Sequence, residues 1–452
     1  MDLKEKVLKY KDEVVKEIQN AIRVKSVKEA PLPGMPFGEG PAKALDHFMD
    51  LAARLGFKAE KFDNYAMHID MGEGEETLGI LAHVDVVPEG DNWVHPPYGG
   101  IIEDGKIFGR GTLDDKGPAI ISLYAMKAIS DAGIKLNKKV RMILGADEES
   151  GSACLKYYFG TINQPYPDLA FTPDSSFPVT YAEKGSIRVK IKKSFNTLSD
   201  VKISGGNAFN SVPNEAIGEI PVNMLDDVRN LNKVEFLREG DVYKITSAGI
   251  PAHGAKPHLG YNAVSALFEV LKELNVKNEE LKGIVNFYDK FVKMETDGAS
   301  FGVKCDDGET GALTLNLGKM TLEDNQMEIW IDMRVPVKIK NQDIIDKLKL
   351  VVENYGYEFV LHSNTEPLYV DRESFLVSTL MDIYQEITGD KESKPKAIGG
   401  GTYAKYAKNA VAFGALLPSQ EDRMHQRDEY LEISKIDTLL KIYVEAIYRL
   451  AK

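Results

Sequence analysis

The chain has 452 residues, of which 43% are hydrophobic and 28% charged, the balance of an ordinary soluble globular protein. That excludes a collagen-like, low-complexity or disordered chain and leaves room for about two to three domains. Lys plus Arg number 56 and Asp plus Glu 69, a formal charge of −13, which is a poor match to nucleic acid or to an anionic membrane surface. Cys154 and Cys305 lie far apart without CxxC spacing, so a thiolate metal site and a disulfide scaffold are both disfavoured and a reducing cytosol fits. The first 27 residues read as charged and helical, with no apolar leader core. No apolar run approaches the roughly 18 residues of a membrane helix. A soluble, cytoplasmic protein is expected.

In chain order, Leu45 to Leu55 reads as a helix and Thr77 to Ala82 (TLGILA) as a buried strand. Pro118 to Ser130 is an amphipathic helix with proline near its first turn. Val140 to Leu144 and Leu169 to Phe171 are further strands. This alternation predicts an α/β layer with a largely parallel sheet flanked by helices. The pattern then changes. Ser186 to Lys192 (SIRVKIK), Val242 to Ile245 and Met327 to Met333 show the period-two alternation of half-exposed strands, with helices such as Asn262 to Leu274 between them. Strand–helix alternation returns with a helix near Phe375, a glycine run at Gly399 to Gly401, an apolar strand at Ala410 to Leu416 and a helix from Ser434. The expected organisation is a catalytic α/β domain over 1–182 and 385–452, interrupted by an inserted α+β lid domain over 183–384.

Four apolar strands are each followed by metal-type ligands. His83 and Asp85 follow TLGILA; Asp147, Glu148 and Glu149 follow VRMILGA; Asp174 follows LAFTP; His425 follows AVAFGALLP and a short loop. Ligand sites in open parallel sheets lie beyond the carboxyl ends of the strands. A fifth segment, Gly109 to Gly117 (GRGTLDDKG), sits before a helix. These are the hard and borderline donors of Zn²⁺ or Mn²⁺. Two adjacent ions need a bridging carboxylate plus a His and a carboxylate each. Asp114 is the expected bridge, with His83 and Asp174 on one ion and Glu149 and His425 on the other; the placing of Glu149 and Asp174 stays open. Asp85 is expected to take the second imidazole N–H of His83. Glu148, beside a ligand but not needed as one, is the candidate general base for a metal-bridging water.

Singly, each of these has a plainer explanation: a loop histidine, a helix N-cap at Asp115, a solvated turn at Glu148–Ser150. Their coincidence at matching strand ends makes the plain reading improbable. His47, His68 and His362 receive it, while His95 and His258, in proline-containing loops, stay undecided. Gly298 to Gly302 (GASFG) matches a nucleophile-elbow pattern, but neither an apolar strand nor a helix flanks it, so the match is taken as chance. The glycine run at 399–401 lacks the Walker lysine and dinucleotide spacing, yet its backbone N–H groups can cradle a carboxylate.

The segments His83-x-Asp85, Gly109-Arg110-Gly-x-x-Asp114-Asp115-Lys116-Gly117, Glu148-Glu149-Ser150-Gly151, Pro173-Asp174 and Met424-His425 resemble the metal-site motifs of the co-catalytic metallopeptidases, the family of aminoacylase, glutamate carboxypeptidase and the carnosinases. The likeness is closest to the peptidase V (Xaa-His dipeptidase-like) branch and spans nearly the whole chain in order. It implies two Zn²⁺ or Mn²⁺ ions per chain, the roles given above, and a cis Asp114–Asp115 peptide. In the lid it implies that His253, in Gly249 to His253, polarises the scissile carbonyl. It implies further that Asn210 contacts substrate, that Arg334 clamps the substrate carboxylate, and that Gly400, Gly401 and Thr402 close the same end. Without the resemblance, Arg334 would be read as an ordinary ion pair and Asn210 as a turn residue. The long lid suggests a monomer.

A metal-dependent dipeptidase acting on small peptides, including Xaa-His or β-Ala-containing ones, is the expected function. The alternatives are an N-acyl-amino-acid deacylase or carboxypeptidase with the same site, and a metal-dependent peptide-binding protein without turnover.

Overall fold

The computed structural model describes residues 2–226, 228 and 234–452. The chain forms two compact units, one of residues 1–182, 369–397 and 401–452, the other of residues 183–368 and 398–400. In the first, a sheet runs in the order Lys58–Phe62, Ala66–Met71, Lys139–Gly145, Thr77–His83, Leu169–Thr172, Ala410–Ala412 and Thr180–Glu183. Its four central strands, from Lys139–Gly145 to Ala410–Ala412, are mutually parallel, and antiparallel pairing is confined to the flanks. Parallel strands are covered on both faces and so read as unbroken apolar runs. Leu78, Ile80, Leu81 and Ala82 are all fully buried.

The covering helices follow from their patterns. Ile433–Ala451 buries Ile436, Leu439, Leu440, Tyr443, Ala446, Ile447 and Leu450, a three-and-four spacing that puts one apolar stripe on the sheet. Lys116–Asp131 is buried almost throughout, as a helix between other helices and the sheet must be. Glu39–Arg54 and Lys11–Ile22 complete the layers. The strand expected at Ala410 to Leu416 is two short pieces, Ala410–Ala412 and Ala415–Leu416.

The second unit is α+β. Eight antiparallel strands run in the order Val234–Glu239, Val242–Ala248, Glu215–Pro221, Lys202–Gly205, Thr314–Glu323, Gln326–Val335, Gly185–Ser194 and Glu358–Thr365. Here Ile187, Val189 and Ile191 enter the core with the helices Ala263–Glu273, Glu279–Phe287 and Asn341–Asn354, while Arg188, Lys190 and Lys192 point away. One covered face and one open face is the reason for the period-two sequence.

One close approach in the first unit is instructive. A methyl group on Gly145, at the end of its strand, would collide with the Tyr403 hydroxyl and crowd Cys154 Sγ. The two side chains meet there, Tyr403 Oη lying 2.9 Å from Cys154 Sγ. Gly145→Ala should destabilise the protein by about 1–3 kcal/mol through overpacking, and Tyr403→Phe in the same chain should recover part of that in thermal unfolding. No recovery would place the cost elsewhere.

Candidate active site and metal centre

The carboxyl ends of the four parallel strands deliver the expected residues into one volume. His83 is the last residue of Thr77–His83. Glu148 and Glu149 follow Lys139–Gly145, Asp174 follows Leu169–Thr172, and His425 lies in the segment after Ala415–Leu416. Asp114 enters from the loop before helix Lys116–Asp131, and its peptide bond to Asp115 is cis.

Asp114 faces two imidazoles. Its Oδ1 lies 2.8 Å from His83 Nε2 and its Oδ2 lies 2.8 Å from His425 Nε2. Asp174 Oδ2 is 3.8 Å from His83 Nε2, and Glu149 Oε1 is 3.2 Å from His425 Nε2. Donor atoms of His83, Glu148 and Asp174, and separately of His83, Asp114 and Glu149, fall within 4.8 Å of one another. His83 is fully buried, whereas His425 is exposed, with φ +62°.

Crowding of charge sets the acidities. Burial, then the neighbouring Asp174, pushes the Glu148 carboxyl well above the usual range. Burial, then Asp114, raises Asp174 to about 8 and also raises Glu149. Burial would also raise Asp114, but hydrogen bonds to His425 and His83 hold it far below the usual range. Hydrogen bonds to Asp114 and then to Glu149 raise His425 to about 11. Four carboxyls and two imidazoles in so small a volume fit two hard or borderline divalent cations, with Asp114 able to reach both.

Asp85 differs from expectation in detail. The Nδ1 of His83 meets the main-chain carbonyl of Asp85 at 2.9 Å, while the carboxylate stands 3.5 Å away. The carboxylate instead accepts the backbone N–H groups of Glu148 and Glu149 at 3.0 and 3.1 Å. One residue thus fixes both the histidine tautomer and the loop carrying the two glutamates. Asp147, in the same run, is turned away and paired with Lys28 at 2.7 Å.

The sequence did not disclose what holds Asp114. Glu429 is fully buried, and its Oε1 accepts backbone N–H groups from Gly111, Leu113 and Asp114 at 3.1, 2.8 and 3.3 Å. Its Oε2 is 2.6 Å from Arg110 Nη1. Burial, then Asp114, lifts the Glu429 carboxyl to about 7. The only sequence hint is its place four residues after His425. His95, undecided from sequence, sits between Glu103 and Asp428 at 2.6 and 3.3 Å and stacks on Phe108. His258 lies in the short turn Pro257–Leu259.

In the second unit, His253 and Asn210 are exposed on adjoining segments that meet through a Ser211–His253 bridge. The Nδ1 of His253 accepts the N–H of Ala255 at 3.2 Å, so the neutral imidazole carries its proton on Nε2. Arg334 donates through Nε and Nη2 to buried Asp332 at 3.2 and 2.8 Å and through Nη1 to the Gly399 carbonyl at 3.0 Å. The ion pair of the plainer reading is therefore present, and it orients the guanidinium. The glycine run enters a four-residue turn, Tyr403–Tyr406, in which the Thr402 hydroxyl accepts the N–H of Ala404 at 3.2 Å. A long helix does not follow, so Gly400 and Gly401 have no helix N-terminus behind them.

Peptidase family M20/M25/M40 matches residues 79–449. The Staphylococcus epidermidis protein named "Putative dipeptidase" is 34% identical over 467 residues, covering 99% of each chain. Among solved structures, a Sulfolobus solfataricus M20 family metallo-carboxypeptidase superposes with a TM-score of 0.61 at 18% identity, covering 96% of this chain and 98% of that one. Human carnosine dipeptidase 1 does so with a TM-score of 0.61 at 14% identity, covering 100% and 99%. At those identities the structures speak for the shared fold alone.

Glu429→Gln should loosen the 109–114 loop and weaken Zn²⁺ or Mn²⁺ binding about 10–100-fold in isothermal titration. Unchanged affinity would show that the loop keeps its shape without the carboxylate.

Proposed function

The chain belongs to peptidase family M20/M25/M40, and from that premise we propose that it hydrolyses the single peptide bond of dipeptides. The observation that carries this reading is Asp114 held between His83 and His425, with Glu148 beside them. We assign His83, Asp114 and Asp174 to one divalent ion and His425, Asp114 and Glu149 to the other, Zn²⁺ before Mn²⁺. When bound, the ions supply Lewis acidity and lower the pKa of water.

Glu148 takes the proton of the attacking water and passes it to the departing amine; a carboxyl whose affinity for protons is raised by burial suits that task. Asp85 keeps Glu148 and Glu149 in place from behind. His253 offers Nε2–H to the oxyanion that forms at the carbonyl carbon. Asn210 contacts the substrate main chain. Arg334 receives the substrate carboxylate, its fork already set by Asp332, with Gly400, Gly401 and Thr402 at the same end. Among the described residues, no helix is long and apolar enough to cross a membrane. We further propose a cytoplasmic monomer in which the second compact unit, residues 183–368 and 398–400 rather than 183–384, serves as the lid, the monomer testable by sedimentation.

Glu148→Ala should keep its metal and lose several orders of magnitude in kcat; near-normal turnover would remove it as the base. His253→Ala should act chiefly on kcat, and a change confined to KM would argue against an oxyanion role. Chelation should abolish hydrolysis and readdition of Zn²⁺ or Mn²⁺ restore it. In a panel of dipeptides, tripeptides and N-acetyl amino acids, a preference for the acylated compounds would overturn the dipeptidase assignment.

A further inference from the structure

Strand Thr314–Glu323 carries, at two-residue spacing, three residues that serve the segments bearing Asn210 and His253. Thr314 Oγ1 donates to the carbonyl of Ala255 at 3.4 Å. Asn316, 1% exposed, uses its amide nitrogen on two carbonyls at once: Phe209 at 2.7 Å and Ser211 at 3.0 Å, one on each side of Asn210. Gly318 lies where the strand's register shifts, and a methyl group there would collide with the carbonyls of Ala208 and Phe209. The loop therefore rests directly on the strand.

The hold passes onward to the histidine. The carbonyl of Asn210 accepts the N–H of Gly254 at 2.7 Å, and Val212 N–H reaches the carbonyl of Ala252 at 2.9 Å. Ser211 pairs with His253 between these two bonds. His253 is thus tied by backbone bonds to a loop in which one buried amide holds the carbonyls on either side of Asn210. Only a short side chain with two N–H donors on one nitrogen can satisfy both carbonyls. Asn316 Oδ1 has no hydrogen-bond partner among the described residues, so every hydrogen bond its side chain makes goes to this loop.

We propose that Asn316 is a positioning residue for the reaction: it sets the place of His253 Nε2 and of Asn210 without touching substrate. This rests on the reading of His253 as the oxyanion donor. A misplacement of order 1 Å at such a donor costs about 100-fold in rate, whereas the metal ligands lie in the other compact unit and are untouched by it.

The test is a double-mutant cycle on the metal-loaded enzyme with a dipeptide substrate, using Asn316→Ala, Asn316→Asp, His253→Ala and the Asn316→Ala/His253→Ala double variant. Asn316→Ala should lower kcat about 10–100-fold, and Asn316→Asp, which turns a carboxylate toward two carbonyls, should lower it further. Metal affinity by isothermal titration should stay within about twofold of wild type for every variant, given the untouched ligands. The double variant should lose less than the product of the two single losses, its remaining excess over His253→Ala being the part that acts through Asn210. Wild-type kcat in Asn316→Ala, or losses that add in the double variant, would overturn the proposal while leaving the oxyanion reading intact. Wild-type kcat in His253→Ala would instead remove that reading, and this proposal with it. Circular dichroism and thermal unfolding check the fold. If Asn316→Ala does not fold, Asn316→Ser, which retains one donor, carries the same cycle with the same criteria.

Discussion

A carboxylate lodged between two imidazoles keeps its place only if its backbone is held from behind, and in this protein Glu429 provides that hold. Three backbone amides depend on one buried side chain: its oxygen gathers those of Gly111, Leu113 and Asp114, and its partner Arg110 neutralises it. An unpaired carboxylate at that depth would be strongly destabilising, so pair and loop stand together. With Asp114 fixed, His83 from a strand end and His425 from a turn can approach it to the same 2.8 Å.

The supporting layer on the opposite side follows the same logic. The Asp85 carboxylate is spent on the amides of Glu148 and Glu149, and its carbonyl on the His83 imidazole. In the second unit the supporting atoms are the Asn316 amide and the Asp332 carboxylate, which fix a loop and a guanidinium respectively. In each case a buried polar group spends hydrogen bonds on the segment or guanidinium that carries a proposed site residue. Burying such groups costs free energy that their hydrogen bonds offset.

Much of the site was legible before any coordinates. A parallel strand buried on both faces has to be apolar, so TLGILA, VRMIL and LAF stand out, and chemistry-bearing residues just beyond them are conspicuous against that background. The open face of the lid sheet is legible for the complementary reason, since Arg188, Lys190 and Lys192 alternate with Ile187, Val189 and Ile191. Positions with no such background were not legible. Glu429 lies in a loop without period, and Asn316 in a strand where any small polar residue would look the same. The function of each is defined by a carbonyl or an amide distant in sequence: Asn316 bonds Phe209 across 107 residues and Glu429 bonds Asp114 across 315.

The sequence by itself determined the class of fold, the donor inventory and the strand ends that present it, because these depend on residue type and short-range period. Only the tertiary structure decided that Glu429 holds the loop of Asp114, that Asp85 gives its carboxylate to the amides of Glu148 and Glu149 as well as standing 3.5 Å from the imidazole, and that Arg334 arrives already paired. Those are outcomes of competition among acceptors for a limited set of donors. That competition is resolved by which backbone groups folding brings within about 3 Å, and no local pattern in the chain encodes it.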